Sequence, residues 1–323
     1  MIKRSKKITI ESLKPNNGWV NGYAFEVLLQ DKVSFISKPK QKLTFEVLEQ
    51  TKLPLDTIVR LLQLLNQLQS KGHRITLNFK GRSESIGYLN RVGFFDFLHQ
   101  DVKVKPARPE ESGRQAHMGN SNALMELEAV NTTLNNNELP ERISNIIATH
   151  LEGHKPEDKK RLQQICRLMF SELITNIHEH SKTNLDGFAA LQLYGGDSPR
   201  AEVIVCDSGV GLMESLRPSL KMHNKKFAEF SDKEIIAAIL SEGGISSKPL
   251  NEGAGNGLET CFRLAKKMNS DVSIRLKNDQ FRLIRVEEAD DLVNAFKHKE
   301  ELFPLDGTFI CFAVPLVKQT LDT

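Results

Sequence analysis

The sequence predicts an α/β protein built from two domains, and three observations lead to that prediction. The chain has 323 residues. At roughly 100 to 200 residues per domain, this length favours two domains, each able to bury its own core. Strand-like and helix-like hydrophobic patterns alternate along the chain, which is typical of α/β folds. Residues 106–121 carry prolines, glycines and charges without an apolar period, which indicates a linker. We therefore expect domains at 1–105 and 122–323.

The composition indicates which partners and which cellular compartment to expect. Lys and Arg total 44 and Asp and Glu total 41, so the net charge of +3 gives no strong field toward nucleic acid or membrane. The four cysteines lie far apart with no CxxC or Cys/His cluster, which argues against a zinc site or a disulfide framework and favours a reduced, cytoplasmic compartment. Neither a signal peptide nor an apolar run of about 18 residues is evident, so no membrane association is expected.

The first domain alternates strand and helix patterns. Its longest helix pattern places leucines and isoleucines on one stripe, with Asp56 positioned to cap the helix start and Gly72 to end it. Alternating β-branched and aromatic residues on either side of this helix favour strands. In order, the predicted elements are a strand at Leu43–Leu48, a helix at Thr57–Ser70, a strand at Arg74–Phe79 and a helix at Ile86–Val92.

This order of elements resembles the STAS domain, the anti-sigma antagonist fold, over about residues 40–100. The resemblance rests on Pro-Leu-Asp-Thr-Ile at the start of the long helix, on Gly-His-Arg-Ile-Thr-Leu-Asn-Phe in the second strand and on Leu-Asn-Arg-Val-Gly-Phe-Phe after it. In that family a serine or threonine at the start of the long helix can be a phosphoacceptor, within a sequence that is often Asp-Ser-Ser-Gly. This chain has Thr57 there. Two interpretations stay open: Thr57 is a regulatory phosphosite, or it only starts the helix, which we favour.

The second domain begins with a strand pattern and contains a long amphipathic helix with an apolar stripe for the core. Strand patterns bounded by glycine and proline follow this helix, and two further helix patterns come later in the chain. The predicted elements are strands at Ala123–Val130, Phe188–Tyr194 and Ala201–Cys206, and helices at Pro140–Leu151, Lys159–Ser181, Asp232–Leu240 and Leu258–Met268.

Two polar residues on the long helix have a spacing that suits a nucleotide site. Glu172 and Asn176 are four residues apart, so they project from one side of the helix, one turn from each other. A carboxylate can orient or deprotonate a nucleophile, while an amide oxygen can join Mg²⁺, whose other ligands are usually waters and phosphate oxygens. The pair therefore predicts a Mg-nucleotide site.

Two glycine-containing segments complete the pattern. The segment Asp-Ser-Gly-Val-Gly at 207–211 follows a predicted strand. Its carboxylate can accept a hydrogen bond from an amino group, and its glycines let a flat ring approach the backbone. The segment Gly-Ala-Gly-Asn-Gly at 253–257 opens a predicted helix. Free N–H groups and the positive end of the helix dipole favour an anion such as phosphate there.

In this order, the three motifs resemble those of the GHKL ATP-binding superfamily, whose members include gyrase-type topoisomerases, heat-shock chaperones, MutL, histidine kinases and anti-sigma serine kinases. The resemblance covers roughly residues 120–318, and the segment Gly-Thr-Phe-Ile-Cys-Phe-Ala-Val-Pro-Leu at 307–316 is similar to the closing strand of that fold. It implies a Bergerat-type α/β sandwich, with a mixed sheet covered by helices on one face. The smaller STAS-like α/β domain would precede it.

The resemblance also implies a role for each matching residue. Glu172 would be the catalytic base or water-orienting carboxylate, Asn176 the Mg²⁺ ligand and Asp207 the acceptor for the adenine amino group. Residues 213–252 would form the nucleotide lid, from which Lys248 could reach the γ-phosphate, although a solvated surface lysine is the favoured interpretation. The glycines would shape the site, with Gly209 and Gly211 at the adenine and Gly253, Gly255 and Gly257 at the phosphates.

Two functions follow from an ATP site of this kind. The first is a slow ATPase or an anti-sigma-type serine/threonine kinase acting in regulation, in which Glu172 activates water or a protein hydroxyl. The second is a non-catalytic switch, in which ATP orders the lid and changes contacts with the STAS-like domain or with a regulatory protein partner. ATP and Mg²⁺ are the expected cofactors in both cases, and a homodimer is left open.

Other nucleotide-binding motifs do not fit. The glycines at 253–257 are not a dinucleotide-binding fingerprint, because Leu258 takes the last glycine position and no strand pattern precedes them. The sequence contains no P-loop motif. A small basic patch lacks interleaved aromatic residues, so nucleic-acid binding is not expected; its members are Lys221, Lys225 and Lys226.

Overall fold

A computed structural model describes residues 5–12, 18–36, 38–81, 84–134, 136–223, 225–242, 257–283 and 297–317. The chain forms two compact units. The first unit is Met1–Glu128 with Glu301–Leu305, and the second is Ala129–Glu300 with Asp306–Thr323. One four-stranded parallel sheet and one seven-stranded, mainly antiparallel sheet accompany the helices, so the predicted α/β class is confirmed.

The first unit is a parallel sheet whose strands are connected through helices, as parallel pairing requires. Its elements in chain order are β1 (Lys6–Ile10), α1 (Gly22–Gln30), α2 (Val33–Ile36), β2 (Lys42–Val47), α3 (Leu55–Ser70), β3 (Arg74–Phe79), α4 (Glu84–Val92), α5 (Phe94–Phe97), β4 (Lys103–Lys105) and α6 (Gly113–His117). The strands lie in the order β1-β2-β3-β4.

One face of this parallel sheet belongs to the core of the first unit. Ile8, Phe45 and Leu77 lie side by side in register on three neighbouring strands, and all three are buried. Because side chains alternate between the two faces of a strand, the residues between them project to the opposite face. The long helix α3 adds a stripe of buried apolar side chains that includes Ile58 and Leu61. The predicted elements β2, α3, β3 and α4 are therefore confirmed, with small shifts at their ends.

The structure corrects the predicted role of Asp56. Helix α3 begins at Leu55, so Asp56 lies inside its first turn, and Pro54 occupies the cap position without a side-chain hydrogen bond. The Asp56 carboxylate accepts hydrogen bonds from Thr57 N at 2.7 Å and from Gly22 N at 2.9 Å. Gly22 is the first residue of α1, so Asp56 caps a helix that begins 34 residues earlier in the chain. Sequence neighbours alone gave no indication of this long-range cap.

The Thr57 hydroxyl lies in the interior of the first unit. Thr57 is fully buried, and its Oγ1 donates a hydrogen bond to Val20 O at 2.7 Å. The hydroxyl therefore ties the start of α3 to the segment that leads into α1. This contact supports the interpretation that Thr57 organises the helix start.

Helix α6 lies within the stretch that the sequence predicts to be a linker. Ser112 precedes this helix, and its side chain accepts a hydrogen bond from Gln115 N at 3.0 Å. The helix is only five residues long and has no buried side chain. An apolar period is therefore absent from it, which is why the hydrophobic pattern did not reveal it.

The second unit is built on the seven-stranded sheet, in which β5 is an edge strand. Its elements are β5 (Leu124–Val130), α7 (Leu139–Thr149), α8 (Pro156–His180), β6 (Gly187–Tyr194), β7 (Arg200–Cys206), α9 (Leu212–His223), α10 (Lys225–Ala228), α11 (Asp232–Glu242), α12 (Gly257–Lys267), β8 (Asp271–Arg275), β9 (Gln280–Leu283), β10 (Lys297–Lys299) and β11 (Phe309–Pro315). The strand order is β10-β9-β8-β11-β7-β6-β5, and neighbours from β10 to β6 are antiparallel.

Strand β11 lies inside this sheet rather than at its edge. It pairs with β7 on one side and with β8 on the other, and Phe309 is opposite both Cys206 and Arg275. Helix α8 packs on the sheet, where the rings of Phe170 and Phe312 meet edge to face with centroids 6.0 Å apart. This arrangement brings a late segment of the chain next to the end of β7.

The predicted elements of the second unit are confirmed, with ends shifted by at most three residues. Helices α9 and α10, and strands β8, β9 and β10, were not predicted. Among the helices that the structure describes, none is both long enough and apolar enough to cross a membrane.

Candidate functional site

The candidate site lies where β7 ends and β11 begins. Phe309 is opposite Cys206 in the antiparallel pair, so Asp207 and Thr308 lie side by side just beyond it. Asp207 N donates a hydrogen bond to Thr308 O at 2.9 Å. The Asp207 carboxylate accepts hydrogen bonds from Thr308 N at 3.0 Å and from Gly209 N at 2.7 Å. Two separate segments of backbone therefore fix the position of this carboxylate.

Burial alters the acidity of Asp207. Removal from water raises the pKa of its carboxyl above the ordinary value, although hydrogen bonds from Gly209 and from the backbone and side chain of Thr308 act in the opposite direction. A carboxylate offers roughly four acceptor positions. Bonds from Gly209 and Thr308 occupy some of these positions and fix the orientation of the carboxylate.

Thr308 is a site residue that the sequence analysis did not single out. Its backbone N–H and its side chain both bind the Asp207 carboxylate, and its Oγ1 accepts a hydrogen bond from Leu212 N at 3.1 Å. Leu212 is the first residue of α9, so Thr308 joins the strand ends to the next helix. The sequence signal was Gly307-Thr308 directly before the last strand, which we treated only as part of that strand.

Gly209 lies where the loop crosses the C-terminal end of α8. Val210 N donates a hydrogen bond to the carbonyl oxygen of Ser181, the residue that caps this helix, at 3.0 Å. A Cβ atom at position 209 would lie 1.8 Å from the same oxygen. Because only glycine fits such a close approach, the loop is held directly against α8.

Gly211 makes the turn from this loop into α9. Its φ of +86° lies in the left-handed region, which favours glycine. Gly211 O accepts a hydrogen bond from Ser215 N at 3.2 Å in the first turn of the helix. Helix α9 is the first element of the segment predicted to be the nucleotide lid, and it begins directly after the Asp207 loop.

The predicted pair on α8 lies near the same loop. Glu172 is exposed and Asn176 is half-buried. Asn176 precedes Ser181 by five residues, which at 1.5 Å per residue is about 7.5 Å along the helix axis. Within the described ranges, neither the Glu172 carboxylate nor the Asn176 amide makes a side-chain hydrogen bond, so both remain available to a ligand.

The start of α12 lies beside this part of α8. The Cys261 thiol donates a hydrogen bond to Met169 O at 3.3 Å, while the sulfur of Cys166 lies 3.5 Å from that of Met268. Later residues of one helix thus meet earlier residues of the other, so the two helices run in broadly opposite directions. Gly257, one turn before Cys261, therefore lies toward the part of α8 that follows Met169.

These cysteines belong to the packing between the two helices. Burial raises the pKa of the Cys166 thiol to about 12, so this thiol stays protonated at neutral pH. Cys261 is also buried, and neither residue is part of a disulfide. The contacts are therefore structural, and they fix where α12 begins.

Three predicted phosphate-site residues lie outside the described residues. They are Lys248, Gly253 and Gly255. Gly257 is the first residue of α12, as expected for a segment that opens a helix. The structure thus brings together Asp207, Gly209 and Gly211, and it places the start of α12 toward Glu172 and Asn176.

The residues present fit a nucleotide better than a metal alone. Asp207 offers an acceptor for an amino group beside the Gly209 backbone, and the start of α12 offers N–H groups to an anion. In the described part of the chain, no group of three or more His, Cys, Asp or Glu side chains could hold a metal ion. A single amide ligand from Asn176 fits Mg²⁺, which usually keeps water and phosphate oxygens as its other ligands.

Two comparisons with known proteins found no relative of this chain. No protein-family model matches the chain, and no curated protein matches its sequence. The resemblance to GHKL and STAS proteins therefore rests on the sequence motifs alone.

Proposed function

We propose that the second unit is a GHKL-type Bergerat sandwich that binds Mg-ATP, preceded by a STAS-like domain. The chain would use the nucleotide in regulation, as a slow ATPase or as an anti-sigma-type serine/threonine kinase. The observation that carries the proposal is the Asp207 carboxylate, which Gly209 N and Thr308 hold in place directly after β7. A carboxylate in this position would bind the adenine amino group.

The phosphate end of the proposed site is formed by α8 and α12. Asn176 would hold Mg²⁺ through its amide oxygen, and the N–H groups at the start of α12 would face the phosphates. Lys248, Gly253 and Gly255 would complete this end. When bound, Mg-ATP supplies the phosphoryl group, and the residues of this chain hold that group in place.

Glu172 is the proposed catalytic residue. It lies one turn before Asn176 on α8 and is exposed to solvent. From there its carboxylate would accept a proton from a water molecule or from a protein hydroxyl near the phosphates. Such a base contributes typically 10²- to 10⁴-fold to the rate.

Isothermal titration calorimetry tests the proposed contact between Asp207 and the adenine amino group directly. We expect the wild type to bind ATP with Mg²⁺ and to bind inosine triphosphate much more weakly, because that ring presents a carbonyl oxygen to Asp207 in place of an amino group. Asp207→Asn should lose ATP binding, since the amide retains only one acceptor oxygen. Asp197→Asn, at an exposed turn residue, is the matched control and should bind as the wild type does. A folded wild type that does not bind ATP would refute the proposal.

Phosphate release from the same samples tests the reaction. We expect Glu172→Gln to keep ATP binding and to reduce phosphate release by about 10²-fold or more. Glu157→Gln changes an exposed glutamate in the first turn of the same helix and should leave release unchanged. An unchanged rate in Glu172→Gln would remove this residue from the mechanism.

One observation favours a second function, the non-catalytic switch. Glu172 is exposed, and no side-chain hydrogen bond from the described residues orients it. In this case ATP would order the lid that begins at α9 and change contacts with a regulatory protein partner. Increased hydrogen-exchange protection of α9 and α11 on ATP binding, without phosphate release, is the expected result. Release that depends on Glu172 would contradict it.

A further inference from the structure

The parallel sheet of the first unit has one polar face, on which Lys7, Arg74, Lys103 and Lys105 are exposed, while the other members are half-buried or, at Glu46, buried. Its side chains alternate with those of the core face, and they include no apolar or aromatic residue among the described strand positions. Parallel sheets are usually covered by helices on both faces. We call this surface the basic face; its members are Lys7, Thr9, Lys42, Thr44, Glu46, Arg74, Thr76, Asn78, Lys103 and Lys105.

The strand register places the cations of the basic face next to each other or next to uncharged polar side chains. Lys42 is directly opposite Arg74, while Thr76 is opposite Lys103. On the other side of β2, Lys7 is opposite Thr44. Because neighbouring strands are about 4.8 Å apart, Lys42 and Arg74 are adjacent, whereas Thr44 and Thr76 lie between Lys7 and Lys103 in the next row.

One acid lies on the basic face, and its charge is already compensated. Burial acts to raise the pKa of Glu46, but hydrogen bonds from Lys7, Lys80 and Asn78 hold it below its usual range. Lys7 and Lys80 lie 3.3 and 3.4 Å from its carboxylate. The remaining cations make no ion pair with any described residue; they are Lys42, Arg74, Lys103 and Lys105.

The charge of the chain is unevenly divided. Residues 1–128 contain 20 Lys and Arg against 13 Asp and Glu, a net charge of +7. Residues 129–323 contain 24 Lys and Arg against 28 Asp and Glu, a net charge of −4. The small overall charge of +3 is therefore the sum of opposite values: residues 1–128 are basic, whereas the rest of the chain is slightly acidic.

We propose that the basic face binds the phosphate backbone of double-stranded nucleic acid without reading its sequence. Lysine, arginine, threonine and asparagine side chains are those that contact phosphate oxygens in such complexes. The face lacks aromatic side chains for stacking on unpaired bases, which disfavours a single strand. It also lacks apolar side chains for insertion into a lipid surface, which disfavours a membrane. This inference revises the expectation drawn from the net charge, and it does not depend on ATP binding.

Fluorescence anisotropy of the full-length chain with a labelled 20-base-pair duplex of arbitrary sequence tests the inference. Four released counterions give a slope of about −3.6 for the logarithm of affinity against the logarithm of salt concentration. Affinity should then fall about 150-fold between 50 and 200 mM salt. Two duplexes of different sequence should bind equally.

Variants that remove positive charge test whether the duplex binds at the basic face. Lys42→Gln with Arg74→Gln should weaken binding to every duplex alike and reduce the salt slope by about 2. Lys42→Arg with Arg74→Lys keeps the charges and should retain binding. The matched control is Lys266→Gln with Lys267→Gln, an equal change of charge at exposed positions of α12, and it should leave the slope unchanged.

Three results would overturn the inference. One is the absence of duplex binding by the folded wild type at 50 mM salt. The second is equal binding by the Lys42/Arg74 and the Lys266/Lys267 variants. The third is tighter binding of polyglutamate or of phosphatidylserine vesicles than of the duplex, which would assign the face to an acidic protein or to a membrane.

Discussion

Gly209 occupies a loop position that has no room for a side chain. Its backbone lies against Ser181 O at the end of α8, while its N–H donates to the Asp207 carboxylate. The same residue therefore sets both the distance between loop and helix and the orientation of the proposed adenine acceptor. A side chain at this position would have to move α8 or the loop, and either movement displaces Asp207.

We predict that Gly209→Ala destabilises the second unit by about 3 kcal/mol and weakens ATP binding. The added Cβ would lie 1.8 Å from Ser181 O, a backbone atom that cannot move by side-chain rotation. Gly195→Ala is the control, because no atom lies within 4 Å of a Cβ at that exposed turn. Urea unfolding of both variants measures the difference, and an equal stability for the two would show that the loop and α8 separate without cost.

Helices α1 and α3 of the first unit meet through a buried ion pair. Arg60 Nη1 lies 2.8 Å from Glu26 Oε1, and the two side chains are 2% and 1% exposed. The backbone of Gly22 approaches the same arginine, since a Cβ there would lie 2.9 Å from Arg60 Nε. Together with the Asp56 cap, these polar contacts specify how α1 docks on α3.

We predict that Glu26→Ala lowers the free energy of unfolding of the first unit by about 3 to 5 kcal/mol, because it leaves the Arg60 guanidinium buried beside an empty carboxylate position. Replacing both partners, as Glu26→Leu with Arg60→Met, should recover most of this loss, since the buried guanidinium is removed together with the carboxylate. Chemical denaturation of the single and double variants is the measurement. A double variant as unstable as Glu26→Ala would mean that the pair contributes packing rather than charge compensation.

Local patterns predicted the elements that carry a clear hydrophobic period. Strand β3 and helix α3 were found almost to the residue, since the leucine stripe of α3 is long and both elements are bounded by glycine or proline. Helix α1 was missed, although Asn21 caps its start locally by accepting from Ala24 N at 3.0 Å; the added bond from Gly22 N to Asp56 comes from a distant part of the chain. Strand β4 was also missed, since three residues are too few to show an alternation.

The candidate site was predictable to the extent that it lies in continuous motifs. Asp207 and Gly209 were identified because they follow a strand in a recognisable spacing. Thr308 was not, because its partner Asp207 lies 101 residues away and only the pairing of β11 with β7 brings them together. Contacts of this kind depend on which strands pair in the sheet, and the hydrophobic period of a single segment gives no information about that pairing.

The chain as a whole consists of two units with separate sheets and separate polar centres. The first unit contains the Glu26–Arg60 pair and the basic face, whereas the second contains the Asp207 site. A ligand of one site binds only the folded state of its own unit and should stabilise that unit. This division allows each proposed activity to be assigned to one part of the chain.

We therefore predict two transitions in differential scanning calorimetry of the full chain. Mg-ATP at about 100 times its dissociation constant adds about 2.7 kcal/mol to the stability of the unit that binds it, which raises its midpoint by about 5 to 10 °C. Asp207→Asn should abolish this shift, whereas Glu26→Ala should lower only the other midpoint. A single transition that responds to both variants would show that the two units unfold together, and the nucleotide would then stabilise the basic first unit as well.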